Sequence, residues 1–83
     1  MFMIIKITQF DIDIGRQNSR ISCPIALAVK RMTGRYCSVC PQYIKIGLFE
    51  ESRQIFFQKV ISDKIRVYDK TGEMIPFSFE LNI

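Results

Sequence analysis

The segment at residues 22–35, SCPIALAVKRMTGR, constrains the fold most. Pro24 suits the first position of a helix, where a missing N–H costs nothing. That puts Cys23 at the cap, with Ser22 just before it. Ile25, Ala28, Val29 and Met32 recur at i, i+3, i+4 and i+7 and make one apolar stripe. Lys30 and Arg31 fall in the last turn, where positive charge meets the negative helix end, and Gly34 stands where a left-handed residue stops a helix. Ala26 and Leu27 widen the apolar surface, so burial on more than one side is expected. A chain of 83 residues has room for one such core, and residues 1–83 read as a single domain. It is 48% hydrophobic and 24% charged, which favours order over disorder. A domain of this size buries only about 60–65% of the surface its unfolded chain exposes. A homodimer partner or a bound target would therefore add usefully to its stability.

The flanking segments read as strands and one more helix. Phe2 to Thr8 is an isoleucine-rich strand, and Thr8-Gln-Phe-Asp11 has the shape of a helix-capping box opening a short turn that stops at Gly15. Residues 16–21 are polar and predict a loop. Two short strands follow, at Tyr36 to Cys40 and Tyr43 to Ile46, joined at Pro41-Gln42. Cys37 and Val39 share one face, as do Ile44 and Ile46. Glu50 to Tyr68 predicts a second helix with Phe57, Val60, Ile61, Ile65 and Tyr68 as its stripe, and Gly72 marks a turn. Phe77, Phe79, Leu81 and Ile83 alternate with Ser78, Glu80 and Asn82, a strand with one core face and one wet face. The order β-α-β-β-α-β predicts an α+β domain, an antiparallel sheet with two helices on one face. The ferredoxin-like or split βαβ arrangement is one solution to that order.

Charge is asymmetric. The net charge is +4, yet between Asp13 and Glu50 there is no acidic residue. That window holds Arg16, Arg20, Lys30, Arg31, Arg35 and Lys45. A solvated basic surface that keeps the chain soluble would explain it. So would a face that attracts nucleic acid or an acidic protein surface. Arg16, Arg20, Lys30, Arg31 and Arg35 are the candidate partner-binding cations, with Tyr36, or Tyr43, able to stack on a base. No RNP, KH or helix-turn-helix signature accompanies them.

Catalysis has little to stand on. There is no histidine, no Gly-x-Ser-x-Gly, no phosphate loop and no carboxylate cluster. Asp11 and Asp13 read as solvated caps, so no enzyme activity and no cofactor is expected. Cys37-x-x-Cys40 is the one stretch that looks like chemistry, with Cys23 as a third thiol. A structural zinc site wants four nitrogen or sulfur ligands, and three cysteines without histidine fall short. On a strand, residues three apart face opposite sides, which opposes a redox pair. A zinc-stabilised or redox protein is thus the least favoured alternative, and buried free thiols are the ordinary reading. An odd cysteine count fits a reducing cytoplasm. The start, MFMIIKIT, has no basic leader region, and no apolar run approaches a membrane span.

Three pieces, DIDIGRQNSRISCPIALAVKR, YCSVCPQYIKI and VYDKTGEMIPFSFEL, together cover most of the chain from Thr8 to Leu81. They resemble a group of small phage, prophage and bacterial proteins. That pattern has an Asp-Ile pair and a glycine, a Cys-Pro-Ile-Ala-Leu-Ala helix, a Ser-Val strand and a closing Pro-Phe-x-Phe-x-Leu. Its most specific piece here is residues 23–28. Cys40 stands where members often carry glycine, which argues against a shared ligand role for it. The resemblance implies a phage or mobile-element origin, a cytoplasmic life and action by binding. The expected partner is a host protein or nucleoprotein complex, as for an inhibitor of CRISPR or restriction. The alternative is a direct, weakly specific nucleic-acid binder.

Overall fold

Thr8 turns the first strand into the first helix. β1 (Phe2–Ile7) ends there, and α1 (Gln9–Ile14) begins with a complete capping box. The Asp11 N–H donates to Thr8 Oγ1 at 3.3 Å, and the Thr8 N–H donates to Asp11 Oδ2 at 2.9 Å. The computed structural model describes residues 2–47 and 52–82. After a loop come α2 (Pro24–Thr33), β2 (Cys37–Val39), β3 (Tyr43–Ile46), β4 (Arg53–Phe56), α3 (Lys59–Thr71) and β5 (Phe77–Asn82). Among these residues no helix is long and apolar enough to cross a membrane.

α2 forms where its signals place it. Pro24 opens it, and the Cys23 sulfur caps it by accepting the Ala26 N–H at 3.4 Å. Gly34 ends it at φ 69°, a conformation that costs a side-chain-bearing residue about 1 kcal/mol or more. Ile25, Ala26, Ala28 and Val29 are buried, so two sides of the helix meet the core. α1 meets the start of α2 closely. A Cβ on Gly15 would lie 2.8 Å from the Pro24 ring and from the Asp11 carbonyl oxygen, so only glycine lets the two helices touch there.

The α+β class holds, and all strand pairing is antiparallel among the described residues. The strands divide into two sheets, β1-β5 and β2-β3-β4, rather than the one antiparallel sheet expected from the element order, so the ferredoxin-like arrangement is not formed. The main chain of Lys6 shows why. Its carbonyl accepts from the Arg31 guanidinium at 2.9 Å, and its N–H donates to the Met32 sulfur at 3.3 Å. Side chains of α2 thus occupy the edge of β1 that a further strand would need. The helix expected from Glu50 also begins later. Arg53–Phe56 is instead a strand on β3, pairing Ile55 with Ile44 and Phe56 with Tyr43. Cross-strand aromatic and β-branched pairs outweigh the local helical pattern there. Glu50 and Glu51 lie outside the described residues, and so does Ile83 at the end of the last strand. α3 buries Ile61, Ile65 and Tyr68 as expected, but Val60 faces outward and Phe57 precedes the helix. The remaining core is Ile5 and Ile7 from β1, Cys37 and Val39, Ile44 and Ile46, and Leu81.

Asp11 departs from the expectation of a solvated cap. It is 1% exposed, and Arg31 donates to Oδ2 at 2.8 Å and to Oδ1 at 3.4 Å. Burial pushes its carboxyl up from the usual 3.8, but the hydrogen bonds from Arg31 and Thr8 outweigh that and hold it lower. Asp11→Asn is expected to cost about 2–3 kcal/mol in chemical denaturation, less than a fully buried pair because the Arg31 side chain remains 43% exposed. A carboxyl held low in the fold stabilises fully above its unfolded pKa, and that contribution fades as pH falls through the folded value. Melts from about pH 6 to about pH 2 should therefore show the gap between wild type and D11N closing in acid.

Candidate docking surface

The three-stranded sheet turns one face to the core and one to solvent. Cys37, Val39, Ile44 and Ile46 point in. The outward positions are Ser38 on β2, Tyr43 and Lys45 on β3, and Gln54 and Phe56 on β4. Tyr36 extends the face one residue before β2, where its carbonyl accepts the Gly47 N–H at 2.9 Å. These six residues include three aromatic rings and no carboxylate. Phe56 is 71% exposed and stands edge-on to Tyr43, with ring centroids 5.8 Å apart.

Cations are held against these rings. Lys45 Nζ lies 5.9 Å from the Tyr43 centroid, and Lys30 Nζ lies 5.3 Å from that of Tyr36. Lys30 is fixed further by a 2.7 Å bond to the Ile21 carbonyl, which ties the end of α2 to the loop before it. Arg20 precedes Ile21 and Arg35 precedes Tyr36, and both are exposed. The Arg20 carbonyl accepts the Val39 N–H at 2.7 Å, so the loop runs along the edge of β2. The loop is held at its other flank by Asp69 at the end of α3. The Asn18 N–H donates to Asp69 Oδ1 at 2.9 Å, with Asn18 in the left-handed region at φ 57°.

The candidate cations therefore part company. Lys30 stands over Tyr36 at the sheet face and exposed Arg35 is next to Tyr36 in the chain, while Arg20 lines a cleft at the edge of β2 with Tyr43 and Asp69. Arg31, the neighbour of Lys30, points toward α1 and is committed to Asp11. Arg16 lines a cleft that it shares with Asp13 and Glu73. Lys45 and Phe56 belong to the surface although neither is among the candidate docking residues of the sequence. The alternation of Tyr43, Ile44, Lys45 and Ile46 could have assigned Lys45 to the outer face. Phe56 is hidden by the helical pattern of its segment.

The thiols are each held by a hydrogen bond, two of them to the main chain of Ala26. Cys37 donates to the Ala26 carbonyl at 3.4 Å, Cys23 caps α2, and Cys40 pairs with Gln42 Oε1 at 3.4 Å. Burial pushes the Cys37 thiol up to about 11, and burial raises Cys23 as well. Among the described residues no three His, Cys, Asp or Glu side chains are grouped to hold a metal ion.

At about pH 8 roughly one Cys37 in a thousand is thiolate, the form that reacts. Iodoacetamide labelling followed by mass spectrometry should leave Cys23 and Cys37 unmodified in the native protein. All three cysteines should label after unfolding in urea.

Compared with family models, with curated proteins and with solved structures, the chain finds no match in any of the three.

Proposed function

We propose that this chain is a non-catalytic binding protein whose basic, aromatic sheet face docks on single-stranded nucleic acid. The observation that carries the reading is the pairing of Lys30 with Tyr36 and Lys45 with Tyr43 on a face with no carboxylate among its six residues. Exposed rings offer a π-surface to unstacked bases, and the flanking cations meet phosphates. Arg20 and Arg35 extend the positive field beyond the strands. The resemblance through residues 23–28 supplies a setting: a phage or mobile-element protein in a reducing cytoplasm, acting on nucleic acid held by a host defence complex. A second reading has the same cations dock on an acidic protein surface of such a complex, as an inhibitor of CRISPR or restriction would. Ile21, 46% exposed beside Lys30, favours it, because an apolar rim adds little to phosphate contacts.

Fluorescence anisotropy with a labelled single-stranded oligonucleotide tests the first reading. Tyr36→Ala and Phe56→Ala should each weaken binding by about 5- to 150-fold, the range for loss of one stacked base. Arg35→Glu should flatten the slope of log K against log salt by about 0.7 for each phosphate that is no longer neutralised. A wild type that shows no oligonucleotide binding at low salt would sink the nucleic-acid reading. Capture of an acidic host protein by wild type, abolished in a variant carrying Arg20→Glu and Arg35→Glu, would establish the second.

A further inference from the structure

α3 carries a second apolar stripe on the side away from the core. Val60 and Val67 are 55% and 53% exposed, and Ile75, just after the helix, is 72% exposed. With half-buried Met74 they line one shallow depression. Val60 also lines the neighbouring cleft between the two sheets, which includes the 70% exposed Phe2. The two depressions share Val60, which joins the surface around Ile75 to the cleft that holds Phe2. We infer that this band is the contact surface of a homodimer, each copy presenting the same face about a two-fold axis.

Three observations choose a second copy as the occupant. Phe2, Val60, Val67 and Ile75 are each more than half exposed, an apolar area of the kind that the roughly 800 Å² each partner buries in a standard interface contains. The depression also mixes signs, with Lys64 beside Asp63 and Glu73. A face with both charges is complementary to itself when rotated, whereas nucleic acid or an anionic lipid surface would meet two carboxylates. Finally, of the six sheet-face residues Phe56 alone lines the band, at its end in the cleft that holds Phe2. A contact centred on Val67 and Ile75 leaves Tyr36, Ser38, Tyr43, Lys45 and Gln54 open and doubles them, so that, on the function proposed above, two linked faces grip one strand with an avidity that neither has alone.

Sedimentation equilibrium from about 1 to 200 μM decides the matter. The wild type should show twice the 9.7 kDa of one chain at the upper end of that range. Val67→Glu and Ile75→Glu lie at exposed positions and should keep the far-UV circular dichroism spectrum while raising the dimer Kd about 100-fold, as burial of unpaired carboxylates does. Arg35→Glu, on the other face, should leave the dimer intact. A wild type that stays at the mass of one chain throughout overturns the inference, whether or not it binds zwitterionic vesicles. So does a dimer that persists unweakened in both glutamate variants.

Discussion

A buried carboxylate must be answered by donors, and the way Asp11 is answered organises this molecule. Its oxygens take bonds from Thr8 and Arg31, and Arg31 passes on to the carbonyl of Lys6. One ion pair therefore joins the end of β1, the first turn of α1 and the last turn of α2. It is stabilised because each partner has further hydrogen bonds, the condition under which a largely desolvated pair holds its fold. The same turn of α2 sends Lys30 the other way, to Ile21 and Tyr36. A single helical turn thus anchors the structure with one cation and arms the surface with the next.

Much of the fold was legible in local chemistry. The capping box at Thr8, the Pro24-to-Gly34 helix and the alternation in β3 and β5 are each written in residues within a few positions of one another. The strand at residues 53–56 was not, because its signal lies in its partners: Ile44 and Tyr43 make Ile55 and Phe56 a strand. The split into two sheets was also hidden, since it depends on Arg31 and Met32 reaching across 25 residues or more to the main chain of Lys6. The candidate docking surface was half legible. A charge run identifies cations but not which way they face, and adjacent Lys30 and Arg31 take different partners, Tyr36 and Asp11.

Two parts of the exterior differ in chemistry. Around the three-stranded sheet it is aromatic and cationic. Along the outer side of α3 it is aliphatic with both charge signs. The interior holds its three cysteines as small packing residues, Cys23 and Cys37 both bonded to the main chain of Ala26, and the C-x-x-C spacing that looked like chemistry in the sequence is a strand running into a turn. Cys37 belongs to β2, and Cys40 sits where Pro41 and Gln42 reverse the chain. The side chains around the three-stranded sheet are positioned by the Asp11 node and by the hydrogen-bonded loop at residues 16–22.

The pairing of β1 with β5 has a consequence for how the protein is made. Phe2 pairs with Asn82 and Ile7 with Phe77, so the strand that completes β1 is synthesised about seventy residues after it. At typical translation rates residues 8–76 take roughly 3–14 s to synthesise. Throughout that time Ile5 and Ile7, fully buried in the finished protein, lack the strand they pair with. What can shield them is α2, whose Arg31 and Met32 seize the main chain of Lys6 from the opposite edge. The early helix would then serve the nascent chain as its own chaperone, holding an adhesive strand out of circulation until the closing strand arrives.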